Sequence, residues 1–219
     1  MRKLLVAIVI CLVAMGISTA ANAAPVDLWS SFPDYQGQNN FHAVAYNPST
    51  NTGRELDRLG PYFFGTDVNT WDIPLVARSD TPWILMHPSA YGTPQSVEYS
   101  ALSWGVSQSS TYTVSGSFWG IGGGIVDVSI AKVNSAHTTV LELWSYDNLG
   151  AIESQFSFTS DLIAGDELFF VVAPEGNSSD YDSTRLKGTI TAVPEPASMS
   201  LLGLGLAGLF LRRKRQVGQ

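Results

Sequence analysis

From residue 96 to residue 191 apolar and polar side chains alternate with a period of two, and that period allows strands and little else. Tyr112, Val114 and Phe118 alternate with Thr111, Thr113, Ser115 and Ser117, and Val126, Val128 and Ile130 with Asp127 and Ser129. Phe156 and Phe158 are flanked by Gln155, Ser157 and Thr159; Leu186, Gly188 and Ile190 by Lys187, Thr189 and Thr191. Successive side chains of a strand point to opposite faces, so each run has one face to bury. Residues 168–172 are apolar throughout, as a central strand requires. Gly122-Gly123-Gly124, Asp147-Asn148-Leu149-Gly150, Ala164-Gly165-Asp166 and Glu175-Gly176-Asn177 supply turns between the runs. With no amphipathic helix of useful length, the pattern predicts an antiparallel sandwich or barrel.

Residues 24–95 are less regular. Pro33, Pro48, Pro61, Pro74, Pro82, Pro88 and Pro94 leave little room for long strands. A strand is expected over 41–46, closed by Asn47-Pro48-Ser49, and another over 83–87. This half is read as edge strands and long loops that complete the same sandwich. No Pro/Ser-rich linker and no internal repeat divides residues 24–191, so they are expected to form one domain.

The two ends read as addresses. Residues 1–23 have the form of a secretory signal: Arg2 and Lys3, an apolar stretch over 4–13, and Ala21-Asn22-Ala23 as the small-x-small site for signal peptidase. Ala24 is then the mature N-terminus. Cys11, the one cysteine, leaves with the signal, which excludes a disulfide scaffold and a multi-cysteine zinc site. At the other end Pro194-Glu195-Pro196 precedes a thirteen-residue apolar run over 199–211 and the cluster Arg212-Arg213-Lys214-Arg215. Thirteen helical residues span about 20 Å, a short and thin membrane helix that would keep the basic cluster cytoplasmic and the body outside. Gly203-Leu204-Gly205-Leu206-Ala207-Gly208 fits a dinucleotide fingerprint, but no strand precedes it and only eleven residues follow. Small residues of a membrane helix account for it.

The order Pro-Glu-Pro, short membrane segment, Arg-rich cluster over 192–215 resembles the PEP-CTERM sorting signal of Gram-negative bacteria. The resemblance implies processing by an exosortase that recognises Pro194, Glu195 and Pro196. It also implies a transient inner-membrane anchor, followed by release to the cell surface or extracellular matrix. Proteins carrying this signal accompany exopolysaccharide and biofilm systems. An ordinary tail anchor with a chance Pro-Glu-Pro is the alternative.

The formal charge of the whole chain is −7, but residues 24–193 hold six basic and eighteen acidic residues, a formal −12. Such a surface argues against nucleic acid, whose phosphates require clustered Lys and Arg. It would also repel an anionic polysaccharide unless cations intervene. His42, His87 and His137 sit in no metalloprotease motif, and no G-x-S-x-G elbow occurs. The carboxylates could furnish a glycosidase pair, but the separation that defines one is spatial.

Tyr112-Thr113-Val114-Ser115-Gly116, Val126-Asp127-Val128-Ser129-Ile130, the run over 165–172, Asp182-Ser183-Thr184 and Gln36-Gly37-Gln38-Asn39-Asn40-Phe41 together look like jelly-roll domains related to carbohydrate-binding modules. The likeness covers residues 37–192 and implies an all-β, antiparallel jelly-roll β-sandwich and an extracellular polysaccharide as partner. Two site readings accompany it. If Leu141 and Leu143 point inward, Glu142, Trp144 and Tyr146 point outward, and with Trp119 they would form a platform on which sugar C–H faces pack. Burial of these aromatics in a second core layer is the alternative. The acidic and amide residues Asp166, Glu167, Asn177, Asp180 and Asp182 cluster around one hairpin. Asp166, Asn177 and Asp182 are the candidate ligands of a structural calcium, and Asp182 sits where the resemblance places an ion-holding acid; turn formation without metal is the simpler alternative. The expected function is non-catalytic binding or organisation of exopolysaccharide. A structural matrix protein acting through protein–protein contacts and a carbohydrate-active enzyme are the alternatives.

Overall fold

The computed structural model describes residues 24–47, 52–65, 74–79, 81–88, 98–121, 124–174 and 183–194. The readings on residues 1–23 and 195–215, and on Asn177, Asp180 and Asp182, lie outside the described residues. Among the described residues no helix is long and apolar enough to cross a membrane.

Among the described residues, fourteen strands build one compact unit, Pro25–Thr191. The first half supplies β1 (Val26–Asp27), β2 (Phe41–Asn47), β3 (Thr52–Glu55), β4 (Asp57–Gly60), β5 (Phe63–Gly65), β6 (Leu75–Arg78) and β7 (Ile84–His87). The second supplies β8 (Tyr99–Gly105), β9 (Ser110–Gly120), β10 (Val126–Val133), β11 (Val140–Leu149), β12 (Glu153–Leu162), β13 (Glu167–Pro174) and β14 (Thr184–Ala192). An eight-stranded sheet has the order β12-β9-β14-β7-β6-β5-β4, with β1 also paired to β14, and a six-stranded sheet the order β11-β10-β13-β8-β2-β3. Their ladders are antiparallel. From β8 onward the chain changes sheets at every connection except the one between β10 and β11, which is the winding of a jelly roll. The all-β sandwich expected from the alternation is therefore the fold.

The alternation also assigns the faces. Val114 and Phe118 of β9, Val128 and Ile130 of β10, and Leu186 and Ile190 of β14 are all buried at 1% exposure or less. Along the apolar run of β13, Leu168, Phe170 and Val172 are fully buried between the sheets, while Phe169 and Val171 point the other way. The proline-rich half departs from expectation. It provides the edges β3 and β4, but β2 lies between β8 and β3, and β6 and β7 lie inside the larger sheet. Strands of only four residues suffice there because both neighbours of each pair with it, so the prolines need only lie outside the short ladders.

Two glycines set how the larger sheet closes on the core. A Cβ on Gly116 would collide with the Lys187 carbonyl and lie 2.6 Å from the Gly188 Cα, and one on Gly188 would lie 2.9 Å from the Ser115 carbonyl. The ring of Phe156, opposite Gly116 in the ladder, covers both positions. Phe156 in turn belongs to an aromatic cluster with Phe118, Trp144 and Phe170, at centroid distances of 5.5 to 6.3 Å.

The strand β11 is where the expected alternation fails. Ile130 faces Trp144, but the next residue of β10, Ala131, faces Glu142, so Leu143 is an extra residue in a β-bulge. The bulge inverts the phase. Glu142 keeps its outward direction, whereas Trp144 turns inward and stacks on Phe118, with centroids 5.8 Å apart and planes 6° from parallel. Leu141, expected inside, is 54% exposed.

Candidate functional site

The outward face of the six-stranded sheet carries a cleft of about 590 Å³, lined by all six strands. The register stacks its side chains in rows. Ser129, Val171, Ala101, Val44 and Glu55 form one row across five strands. Ala131, Phe169, Ser103 and His42 form the next, with Glu142 beside Ala131. Tyr99 and Tyr46 pair at one end, their rings 6.1 Å apart. The floor is thus largely apolar, from Val44, Ala131, Phe169 and Val171, with polar groups around it, the composition of a small-molecule or polymer site.

Acidic groups dominate the rim. Glu55 Oε1 lies 2.6 Å from His42 Nδ1, and Glu167 Oε1 lies 3.5 Å from His137 Nε2. Glu142 accepts a hydrogen bond from the Ser145 hydroxyl at 2.9 Å. Arg54, the one arginine among the described lining residues, is held by Glu98 through two hydrogen bonds of 3.0 and 2.6 Å, so its charge is already matched. Burial, then the neighbouring Asp127 and Tyr46, pushes the Tyr99 phenol above its ordinary pKa, which keeps it a neutral hydrogen-bond donor. Ser103, at 1% exposure, lines the cleft with a hydroxyl that has no partner among the described residues. An unsatisfied buried hydroxyl is costly, so a hydroxyl-bearing ligand that reached it would gain.

The four residues expected to share an aromatic platform do not share a face. Glu142 lies in the cleft. Trp144, half-buried, packs against the interior cluster, and Tyr146, 37% exposed, follows it in phase opposite Val128. Trp119 is on the outward face of the other sheet, against Trp83. The bulge at Leu143 is the cause for Trp144 and Tyr146. Of the calcium candidates, Asp166 is buried at 1% exposure. Its Oδ2 accepts from the Ile163 N–H and faces Lys132 Nζ at 3.3 Å, so a cation already stands beside it. Glu167 points to the opposite face, in the cleft. Among the described residues no group of three or more His, Cys, Asp or Glu is placed to hold a metal.

Sequence reasoning missed Tyr46, Tyr99, Phe169 and the two His–Glu pairs. One signal pointed to them: β13 is apolar on both faces, and its outward Phe169 and Val171 require either a cover or a ligand surface.

Fold and cleft define the chain as an antiparallel jelly-roll β-sandwich with an open groove on its smaller sheet. Residues 192–215 match the PEP-CTERM protein-sorting motif, so the chain carries the signal for export and exosortase processing. No curated protein matches it in sequence. Among solved structures it is similar to a mutant of a family 29 carbohydrate binding module, with 10% identity, TM-score 0.41, and 78% of this chain and 92% of that one covered. A CBM4 structure is similar at 15% identity and TM-score 0.36, covering 57% and 90%. A Clostridium thermocellum xylanase 10B fragment, comprising CBM22-1 and GH10 modules with xylohexaose, is similar at 6% identity and TM-score 0.42; the match covers 80% of this chain and 29% of that one.

Proposed function

We propose that this is an exported, exosortase-sorted protein of the cell surface or extracellular matrix that binds a neutral exopolysaccharide in the cleft without turning it over. The cleft itself carries the reading. Its floor offers Phe169, Tyr46 and Tyr99 to the C–H faces of a sugar chain, and its rim offers carboxylates, imidazoles and a neutral phenol to the hydroxyls. A groove open across six strands suits a polymer that enters and leaves laterally. Glu55, Glu142 and Glu167, in a domain of formal charge −12, disfavour an anionic chain at this face.

Affinity electrophoresis of the mature protein through gels containing neutral polysaccharides tests it. Retardation by one glycan is expected, weakened about tenfold by Tyr99→Ala and by Glu142→Gln, each removing a stacking or hydrogen-bonding contact. Mobility that no glycan alters would leave the structural matrix reading, and new reducing ends would establish an enzyme.

The sorting reading has its own test. A chain lacking residues 212–215 is expected to remain in the cell envelope, unprocessed, while the intact chain is released. Normal release of the truncated chain, followed by immunoblot of medium and membranes, would exclude it.

A further inference from the structure

The outward face of the eight-stranded sheet carries a second aromatic cluster, on the side of the sandwich away from the cleft. Trp83, immediately before β7, and Trp119 of β9 meet with centroids 5.7 Å apart and planes inclined by 60°. Two cations of β14 stand over them: Lys187 Nζ is 4.2 Å from the centre of the Trp83 ring, and the Arg185 guanidinium carbon is 5.3 Å from that of Trp119. Both tryptophans are half-buried, and neither belongs to the core between the sheets.

The charge here is opposite to that of the cleft. Residues 24–193 contain only six basic side chains, and two of them meet at this pair of indoles. Lys187 is 2.9 Å from Glu153, and the Ser117 hydroxyl donates to the same carboxylate at 2.6 Å. Those two contacts hold the Glu153 carboxyl below its ordinary pKa, so it is a committed internal counter-ion. Arg185 has no carboxylate partner among the described residues. A guanidinium with no described carboxylate beside it, in so acidic a domain, is a ready site for an anion. Among the described residues, the other acids of this face are engaged or distant. The Asp27 carboxylate accepts from the Ser30 N–H, and Asp161, eight residues along β12 from Glu153 and so roughly 26 Å away, accepts from Thr111. The cleft carboxylates lie across two sheets packed about 10 Å apart, beyond the screening length of about 8 Å at physiological salt.

We propose that Trp83, Trp119, Arg185 and Lys187 form a second binding site, for a carboxylate-bearing polysaccharide such as a uronic-acid polymer. The indoles take the sugar faces, and the guanidinium takes the carboxylate, for which its planar fork is the matched donor. With a neutral chain in the cleft and an acidic chain on the opposite face, one domain ties two polymers together.

The test is affinity electrophoresis of the mature exported protein through polygalacturonate, and through the same polymer with its carboxyl groups reduced. Retardation by the acidic polymer alone is expected, falling about tenfold in Arg185→Gln and in Trp119→Ala, while unfolding midpoints stay close to wild type. Arg185→Gln is expected to leave retardation by the neutral glycan unchanged, and Tyr99→Ala to leave that by polygalacturonate unchanged, so the two sites fail separately. Equal retardation by the reduced polymer, retardation insensitive to Arg185→Gln, or binding only to anionic lipid vesicles or to a second copy of the chain would overturn the proposal.

Discussion

Replacing Trp144 by alanine is expected to destabilise the domain by about 3 kcal/mol, a fall of roughly 6–12 °C in the unfolding midpoint for a domain of this size. The indole belongs to β11, at one edge of the smaller sheet, yet its partners Phe118 and Phe156 belong to β9 and β12 of the larger one. It therefore joins the two sheets at the β11 edge. Truncation removes the stacked face of Phe118 and leaves a cavity beside Phe156 that the strands cannot close without moving the ladder to β10. Trp144→Phe keeps a ring in place and is expected to cost less than half as much. Urea unfolding of both variants measures this. A loss within about 0.5 kcal/mol, the range of an ordinary surface change, would mean that the indole is not held between the sheets.

Gly116→Ala is the second large effect, and it runs the other way, by excess rather than loss. The added methyl has no flexible neighbour to displace: it meets the Lys187 carbonyl and the Gly188 Cα, both backbone, and the Phe156 ring. Relief requires β9 to part from β14 in the middle of the larger sheet. A cost of about 3 kcal/mol, at the upper end of overpacking, is expected, with poor yield of soluble protein. Gly150→Ala is the control, since nothing lies within 4 Å of its added Cβ. Equal unfolding midpoints for the two variants would contradict the close approach of β9 and β14.

The fold was legible in the sequence wherever a strand buries one face against the other sheet. Burial of one face imposes the period of two, and β9, β10, β12 and β14 each show it. It was less legible where a strand contributes to the core and to the floor of the cleft at once. In β13 both phases are apolar, for two different reasons: Leu168, Phe170 and Val172 for the core, Phe169 and Val171 for the cleft floor. A run of this kind identifies a central strand but not what covers its second face. In β11 the reading failed for a third reason. Leu141 and Leu143 occupy one phase and Trp144 and Tyr146 the other, and a strand with two apolar phases in succession requires a bulge between them. The sequence contained that break, and strict alternation passed over it. The Trp83–Trp119 pair was out of reach because it joins residues thirty-six positions apart through β14, which lies between them in the sheet and not in the chain.

The bulged edge strand also bears on whether copies of the chain can join to one another. A long flat edge strand offers its free backbone groups to the next molecule, and repeated addition gives a fibre. With ten residues, β11 is among the longest strands of the fold and stands at the end of its sheet among the described residues, with Val140 and Leu141 exposed. Its pairing to β10 shifts twice, at Leu143 and again between Tyr146 and Leu149, and the exposed Glu142 and Asp147 fall next to those shifts. No incoming strand can keep step with it for more than a few residues. Such an edge works against copies of the chain joining strand to strand, even when they are crowded together.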